Sequence, residues 1–307
     1  MPRFSIVIPC FNAAGTICET IKSMQAQTLC DFEIICVDDG STDATRALIL
    51  SAQHRDTRIV LARNTGKGPS DARNLGAMTL AKGDIVAFCD ADDLWHPSKL
   101  AFLEAAFEDR SVDAAYSKIA FFQMHPDDAT TQSEIPYSDL TISHLLGENP
   151  VCTMSNIAVR KKVFVSTGGF NDRIIHNEDL EWLIRLVGQN ARVVSIDEIL
   201  TFYRRNPNGL SADLLAMAKG RDTALETAAR FGYRPAPSDE AIHLRYLARR
   251  SLRLGQNRID AAQFALCGLL KSPAGFFASP RRGFLTLLGA MAALILPQRI
   301  SHILFSR

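Results

Sequence analysis

The chain predicts an α/β fold: a mostly parallel sheet with flanking helices, followed by a helical C-terminal region. Three observations carry that prediction. Short strand-like runs recur at Phe4–Cys10, Phe32–Val37, Arg58–Ala62 and Ile85–Cys89, and uninterrupted apolar runs are how strands buried on both faces read. Stretches with helical spacing separate them, and strand–helix–strand order in one sheet implies parallel pairing with helices on both faces. Two of the runs end at acidic clusters, and ligands on such sheets sit at the carboxyl ends of the strands.

In order, Ala14–Gln27 places Ile17, Ile21 and Met24 on one helical face after the first strand. The second strand runs into Asp38-Asp39-Gly40-Ser41-Thr42-Asp43, where Ser41 or Thr42 is expected to cap a helix reaching about Gln53. A loop, Arg63–Pro69, leads from the third strand to a helix through Leu80. The central strand stops at Asp90, Asp92 and Asp93, and Pro97 opens a helix with Leu100, Leu103 and Phe107 inward. Ala114–Phe122 reads as a strand, and the polar Gln123–Pro150 as a substrate-side loop region. Met154–Arg160 is a further strand and Gly168-Gly169-Phe170 a turn. Asn177 is expected to cap a helix with Leu180, Leu183, Ile184 and Val187 inward, which puts Glu178 and Asp179 in its first turn. Val193–Ile196 is the last strand, and Asp197–Ser211 carries Tyr203-Arg204-Arg205.

With 307 residues, 47% hydrophobic and 22% charged, the chain suits one large domain or a domain with an appendage. Its seven cysteines are scattered without paired metal-ligand spacing. Cys10, Cys36 and Cys89 lie in or beside apolar runs and read as buried free thiols of a reducing compartment. Arg3 is followed only by Phe4–Pro9, too short for a secretory signal, so a cytosolic start is expected.

Charge is uneven. Residues 1–211 carry 20 Lys and Arg against 27 Asp and Glu, and residues 212–307 carry 14 against 6. A basic tail suits an anionic surface, while no recognition motif supports a nucleic-acid partner. From Asp213 onward the pattern is helical. Residues 284–296 are thirteen uncharged, mostly apolar positions flanked by Arg281, Arg282 and Arg299, short of the roughly twenty needed to span a bilayer. An interfacial helix at anionic lipid, or a helix packed on the catalytic body or in a dimer contact, satisfies this pattern.

Three acids within four positions repel one another, which calls for a divalent cation or basic groups nearby. A solvated helix-capping turn would satisfy Asp90, Asp92 and Asp93 as well, and Glu178 with Asp179 would complement a helix dipole. Both strand-end clusters should nevertheless face one crevice, which capping alone does not explain.

Six motifs occur in one order: Val7-Ile8-Pro9-Cys10-Phe11-Asn12, Val37 to Asp43, Ala72-Arg73-Asn74-Leu75-Gly76, Asp90-Ala91-Asp92-Asp93, Gly168-Gly169-Phe170, and Asn177-Glu178-Asp179 with Trp182 and Arg185 behind. Over about residues 4–211 the chain resembles a family 2 glycosyltransferase of the Rossmann-like GT-A fold, similar to bacterial polysaccharide-biosynthesis enzymes. The resemblance implies a catalytic domain at 1–211, with a nucleotide-binding half at 1–122 and an acceptor half at 123–211; residues 212–307, which do not contribute to it, are left as a helical C-terminal region by their own pattern. It implies an inverting transfer of a sugar from a UDP-sugar to a saccharide or lipid-linked saccharide acceptor in surface or exopolysaccharide synthesis; the basic tail and the apolar segment 284–296 are what suggest a peripheral place at the inner face of the cell membrane.

By the same resemblance Asp39 accepts the uracil N3 hydrogen, with Asp38 a second nucleotide residue or an orienter of the loop. Pro9 to Phe11 line the nucleotide, Arg73 faces the diphosphate and Asp90 lies near the ribose. Asp92 is the ligand of a divalent Mg or Mn and Asp93 supports it. In the pair Glu178-Asp179, Asp179 is the general base. His176 and Trp182 are acceptor-contact candidates. One departure stands out: where the family often carries a histidine after the Tyr-Arg pair, this chain has Arg204-Arg205-Asn206-Pro207-Asn208, so Arg204 or Arg205 contacts diphosphate or the strip forms a lid. Two other functions fit less of the pattern, a non-catalytic nucleotide-sugar-binding protein and a sugar nucleotidyltransferase, which needs a Gly-rich basic loop that Pro9–Gly15 lacks.

Overall fold

The computed structural model describes residues 1–206, 214–255 and 258–296. The expected boundary at 211, the strip beyond Asn206 and the flanking Arg299 lie outside the described residues. Contacts divide the chain into two units, Met1–Leu140 with Pro150–Asn206, and Thr141–Asn149 with Pro207–Arg307.

The first unit runs β1 (Phe4–Cys10), α1 (Ile17–Gln25), β2 (Phe32–Asp38), α2 (Thr45–Arg55), β3 (Ile59–Arg63) and α3 (Pro69–Asn74), which continues as a π-helical turn at Leu75–Leu80. Then come β4 (Ile85–Phe88), β5 (Leu94–Trp95), α4 (Lys99–Glu108), β6 (Ala114–Phe122) and β7 (Thr131–Gln132). After α5 (Ile142–Gly147), which clusters with the second unit, the chain returns as β8 (Ile157–Arg160), α6 (Lys161–Ser166), α7 (Glu178–Gly188) and β9 (Val193–Arg204). The sheet order is β3-β2-β1-β4-β8-β6-β9-β5, with β7 on β6. β1 pairs parallel with β2 and β4, β2 with β3, and β6 with β9. β8 is antiparallel to both neighbours, and β5 to β9.

The apolar runs are buried as their sequence demands: Ile6, Val7, Ile8, Cys36, Val37 and the whole of β4 lie within the core, with Ile17, Ile21, Met24, Leu100, Leu103 and Phe107 packed from the helices. Gly76 explains the close seat of the π-helical turn on β1, because a Cβ there would lie 2.4 Å from a Val7 methyl.

Three local expectations are corrected. Ser41 and Thr42 do not cap α2. Asp43 does that work by accepting from the Thr45 N–H at 3.0 Å, while Ser41 accepts from the Asn12 N–H and the Thr42 N–H donates to Asn12 Oδ1. Those bonds tie the loop after β1 to the loop after β2. Asn177 stands at the head of α7 in the left-handed region, φ +60°, and its side chain makes no capping bond. β9 continues through Arg204 rather than stopping at Ile196, because a register shift opposite Ser117 and Lys118 bulges out the exposed Asp197 and Glu198.

The second unit contains α5, α8 (Leu214–Arg230), α9 (Pro237–Leu254), α10 (Arg258–Lys271), α11 (Pro273–Phe276) and α12 (Pro280–Ile295). Its core is made of small residues, Ala241, Ala248, Ala261, Ala265, Ala290 and Ala293, around Phe276. Glu148 accepts from Arg245, Arg249 and Arg282. α12 turns Gly283, Thr286, Gly289, Ala290 and Ala293 inward and leaves Phe284, Leu285, Leu288, Met291, Leu294 and Ile295 exposed. Among the described residues no helix is long and apolar enough to cross a membrane.

Candidate active site

The acidic loop after β4 is clamped on every side by residues far away in sequence. The Ala91 carbonyl accepts from the Thr16 and Thr20 hydroxyls of the α1 region. Arg204 Nε donates to the Asp92 carbonyl at 2.9 Å, its Nη2 to Glu19 at 2.6 Å, and its backbone N–H to Asp93 Oδ1 at 2.9 Å. From the opposite side Ser155 Oγ accepts the Asp90 N–H at 2.9 Å, and the Thr153 hydroxyl donates to Asp90 Oδ2 at 3.3 Å.

Within this frame the three acids differ. Asp93 is fully buried, and its Oδ2 finds no hydrogen-bond partner among the described residues; burial together with the Asp92 and Asp90 charges pushes its carboxyl well up. Asp92 is half-buried, and burial with the Asp90 charge raises it to about 6. Among the described residues no three His, Cys, Asp or Glu side chains gather as a metal-holding group. Asp92 therefore presents a carboxylate whose charge is held at a cost, and a cation would relieve it.

At the end of β2 the carboxylates divide. Asp38 is buried and accepts the Ser41 N–H, shaping the loop. Asp39 accepts Asn64 Nδ2 at 2.6 Å and the Gly68 N–H at 2.8 Å, and its own N–H donates to the Cys10 carbonyl. The loops after β1, β2 and β3 are thus joined at Asp39. Pro9 lies in β1, and Phe11 projects beyond it, 60% exposed.

Arg73, at the end of α3, is 5% exposed. Its Nη2 donates to Asp90 Oδ1 at 2.7 Å and its Nη1 to Glu178 Oε1 at 3.0 Å, and its guanidinium lies 5.6 Å from the Phe170 ring centroid. Burial opposes the Arg73 charge, but Asp90 and Glu178 outweigh it and its pKa rises. Phe170 is set by Asn74 and joins Phe88, Phe164 and Trp182 in an aromatic cluster with centroids 5.1 to 6.4 Å apart.

Asp179 follows Glu178 in the first turn of α7, its Oδ1 accepting the Leu180 N–H at 2.7 Å. A helix N-terminus by itself favours the ionised form. Here burial and the Glu178 charge win, and the Asp179 carboxyl is pushed up to about 7.

Comparison with known proteins gives this geometry a context. The family described as Glycosyl transferase family 2 matches residues 5–167. The chain belongs to that family. It is 27% identical over 211 residues to the Escherichia coli UDP-Glc:alpha-D-GlcNAc-diphosphoundecaprenol beta-1,3-glucosyltransferase WfgD, covering 68% of this chain and 79% of that one. Staphylococcus aureus TarS in complex with UDP-GlcNAc superimposes with a TM-score of 0.62 at 17% identity, over 100% of this chain and 89% of that one. The mannosyltransferase PcManGT of Pyrobaculum calidifontis, in complex with GDP-Man and Mn2+, gives 0.62 at 21% identity, over 98% and 83%. The fold is GT-A, and the chain is a family 2 glycosyltransferase.

For a member of this family the structure gathers the Asp90 loop, Arg73 and the Glu178-Asp179 pair into one linked cluster, while Asp39 and Asp38 join the neighbouring loops. Trp182 does not face an acceptor. It is fully buried, with Nε1 donating to Thr167 Oγ1 at 3.0 Å. Arg204 braces the acidic loop from the end of β9 and lies over the Phe122 ring, so its guanidinium is committed there rather than held on a lid. The sequence did not single out Asn64, Thr153 and Ser155. The usable signals were a polar Thr-Met-Ser-Asn step at the head of a strand, and Asn two residues before a glycine.

Proposed function

We propose that this glycosyltransferase moves a sugar from a UDP-sugar to a saccharide or lipid-linked saccharide acceptor with inversion, in the synthesis of a surface or exported polysaccharide. The observation that carries this reading is the link from Asp90 through Arg73 to Glu178 and its neighbour Asp179. It brings the acids at the end of the central strand to the acids at the head of α7. The relatives support the donor and acceptor classes: WfgD is named for UDP-Glc and a diphosphoundecaprenol acceptor, and TarS is solved with UDP-GlcNAc.

In this mechanism Asp39, held by Asn64 and Gly68, accepts the uracil N3 hydrogen, since an ionised carboxylate only accepts. Asp38 keeps its loop in shape, Pro9 and Phe11 line the base, and Asp90 lies against the ribose. Asp92 would hold a divalent Mg or Mn, hard cations that take oxygen ligands and bind through few protein carboxylates. Such a cation would offset the charge growing on departing UDP. Asp93 supports the loop through Arg204. Asp179 takes the proton from the acceptor hydroxyl as that oxygen attacks the anomeric carbon from the face away from the nucleotide. A carboxyl near 7 is a stronger base than an ordinary carboxylate and remains partly ionised at neutral pH.

The protein acts in the cytoplasm, peripherally at the inner membrane face. The basic C-terminal region and the outward apolar side of α12 support that placement. The deciding experiment is UDP release by the purified protein over a panel of UDP-sugars, with Mg or Mn and then with chelator. Cation-dependent release from one donor is expected. UDP binding without release from any donor, even with lipid-linked saccharide added, would instead describe a nucleotide-sugar-binding protein.

A further inference from the structure

The resemblance turns Arg73 toward the diphosphate. Its surroundings assign it elsewhere. Both terminal nitrogens of the guanidinium are occupied by carboxylates, Asp90 at 2.7 Å and Glu178 at 3.0 Å, and the side chain is nearly sealed from solvent. The Phe170 ring lies against it, and the backbone of Phe170 is in turn fixed by Asn74, the residue next to Arg73. Turning toward a phosphate would break two charge-assisted bonds and leave Asp90 and Glu178, both partly buried, without their counter-charge.

We infer that Arg73 works on the acceptor side of the reaction, as the residue that positions and electrostatically conditions Asp179, and not as a diphosphate ligand. This rests on Asp179 being the base. The geometry has two consequences. Glu178 and Asp179 open α7, a helix anchored further along by its buried apolar face and by the bonds of Trp182 and Arg185 to Thr167 and Gly169, so the Arg73–Glu178 bond is what holds the first turn that presents the base. Among the described residues acting on Asp179, Arg73 also supplies the positive charge, set among the acids Asp90, Glu178 and Asp179 itself. The groups acting on Asp179 are Glu178 from its own helix, Arg73 from α3, Asp90 from the loop after β4 and the Leu180 N–H. Glu178 and Asp90 hold its proton on, whereas Arg73 and the amide draw it off. Without Arg73, three carboxylates would share the site, and the proton needed to relieve them would fall on the pair that includes the base.

The test uses the full chain, the UDP-sugar that supports UDP release, and four variants. Arg73→Gln is expected to keep UDP affinity by calorimetry within about twofold, and to move the acid limb of kcat/KM to higher pH by about one unit. Its loss would then be about fivefold at neutral pH, rising to about tenfold below the original limb, and recovered at alkaline pH. Arg73→Lys, which keeps the charge, is expected to hold the limb near its original place. Glu178→Gln removes the like charge and should move the limb to lower pH, an independent reading if Arg73→Gln does not fold. Loss of UDP affinity in the Arg73 variants with an unmoved limb would assign Arg73 to the diphosphate and overturn the inference. So would a pH-independent loss, or limbs unmoved in both Arg73→Lys and Glu178→Gln. Asp179→Asn separates the two levels: undiminished turnover there would remove the base itself, whatever Arg73 does.

Discussion

The side-chain amide of Asn74 reads the backbone of Phe170 in both directions: Nδ2 donates to its carbonyl at 2.8 Å, and Oδ1 accepts its N–H at 2.8 Å. The residues lie 96 positions apart, and this pair joins the Arg-Asn motif to the Gly-Gly-Phe motif. Gly169 lies against the same amide, with φ +70° and no room for a Cβ, which would sit 2.5 Å from Asn74 Oδ1 and 2.3 Å from Met78. Asn74→Ala should destabilise the protein by about 2 kcal/mol, since two hydrogen bonds to backbone are lost in a buried place. Gly169→Ala adds strain at positive φ to that clash. Denaturant midpoints should fall for both variants, and an unchanged midpoint for Asn74→Ala would deny the lock its role.

The first α/β half was legible because its evidence is local. Runs such as Phe4–Cys10 and Ile85–Phe88 show their burial in their own composition, and the acids that end them mark the carboxyl edge of the sheet. What was not legible depends on partners remote in sequence. The antiparallel direction of β8 is not encoded by Ile157–Arg160 alone. Asp197 and Glu198 look like the end of a strand until the register shift against β6 turns them outward. Trp182 and Arg204 carry the marks of contact residues, polar-tipped or charged beside a motif, but the aromatic cluster claims one and the acidic loop the other. Nor does a polar stretch such as Gln123–Pro150 announce that α5 within it clusters with the C-terminal helices.

Asp92 and Asp93 should respond oppositely to loss of charge. Asp93 is fully buried, its carboxyl pushed up by burial and its neighbours' charges, and an amide of the same shape removes the charge and still accepts from the Arg204 N–H. Asp93→Asn is expected to keep fold and turnover within about tenfold of the parent. Asp92→Asn removes the carboxylate that would hold the cation, and should cut cation-stimulated UDP release by about a hundredfold or more. Titration of release against Mn for both variants checks this, and equal losses would contradict the division of roles.

Acceptor activation should carry the signature of Asp179. The base works only when ionised, and with the carboxyl pushed up to about 7, kcat/KM should fall about tenfold per unit as pH drops below that point. Asp179→Asn should lose about a thousandfold of turnover, within the usual range for general base catalysis, and keep UDP binding. A profile flat down to about pH 5 would place the base elsewhere.

Lys99 offers a stability test away from the chemistry. It is fully buried, donates to Thr201 Oγ1 at 2.6 Å, and lies 5.0 Å from the Trp95 ring centroid. Burial lowers its pKa from 10.5 to about 7. Between those values the unfolded chain binds more protons than the folded one, so this group makes stability rise with pH across that window, by up to about 1.4 kcal/mol per unit. Below about 7 the folded state carries a charge with little solvent around it. Lys99→Met should therefore stabilise the protein most on the acid side and flatten the rise toward alkaline pH. Thr201 keeps its bond to Asn156 Oδ1. Thermal melts of both forms at acid and alkaline pH decide the matter, and a parallel pair of curves would mean that Lys99 titrates alike in the folded and the unfolded chain.

The last test concerns α12, whose small residues face in and whose large apolar residues face out. A helix packed only for its own unit would bury Leu285 and Leu288 rather than Gly289 and Ala290. The reversed order, beside Arg281 and Arg282, suits a face laid into the headgroup boundary of an anionic bilayer. Co-sedimentation with vesicles of anionic phospholipid is expected for the full chain and should weaken as salt rises. Leu285→Glu with Leu288→Glu should abolish retention while leaving UDP binding intact, because neither side chain belongs to the catalytic unit. Retention undiminished in that double variant would assign lipid contact to another surface. A double variant that converts an otherwise dimeric protein to monomers, with no vesicle binding in either form, would make the same face a contact between copies of this chain.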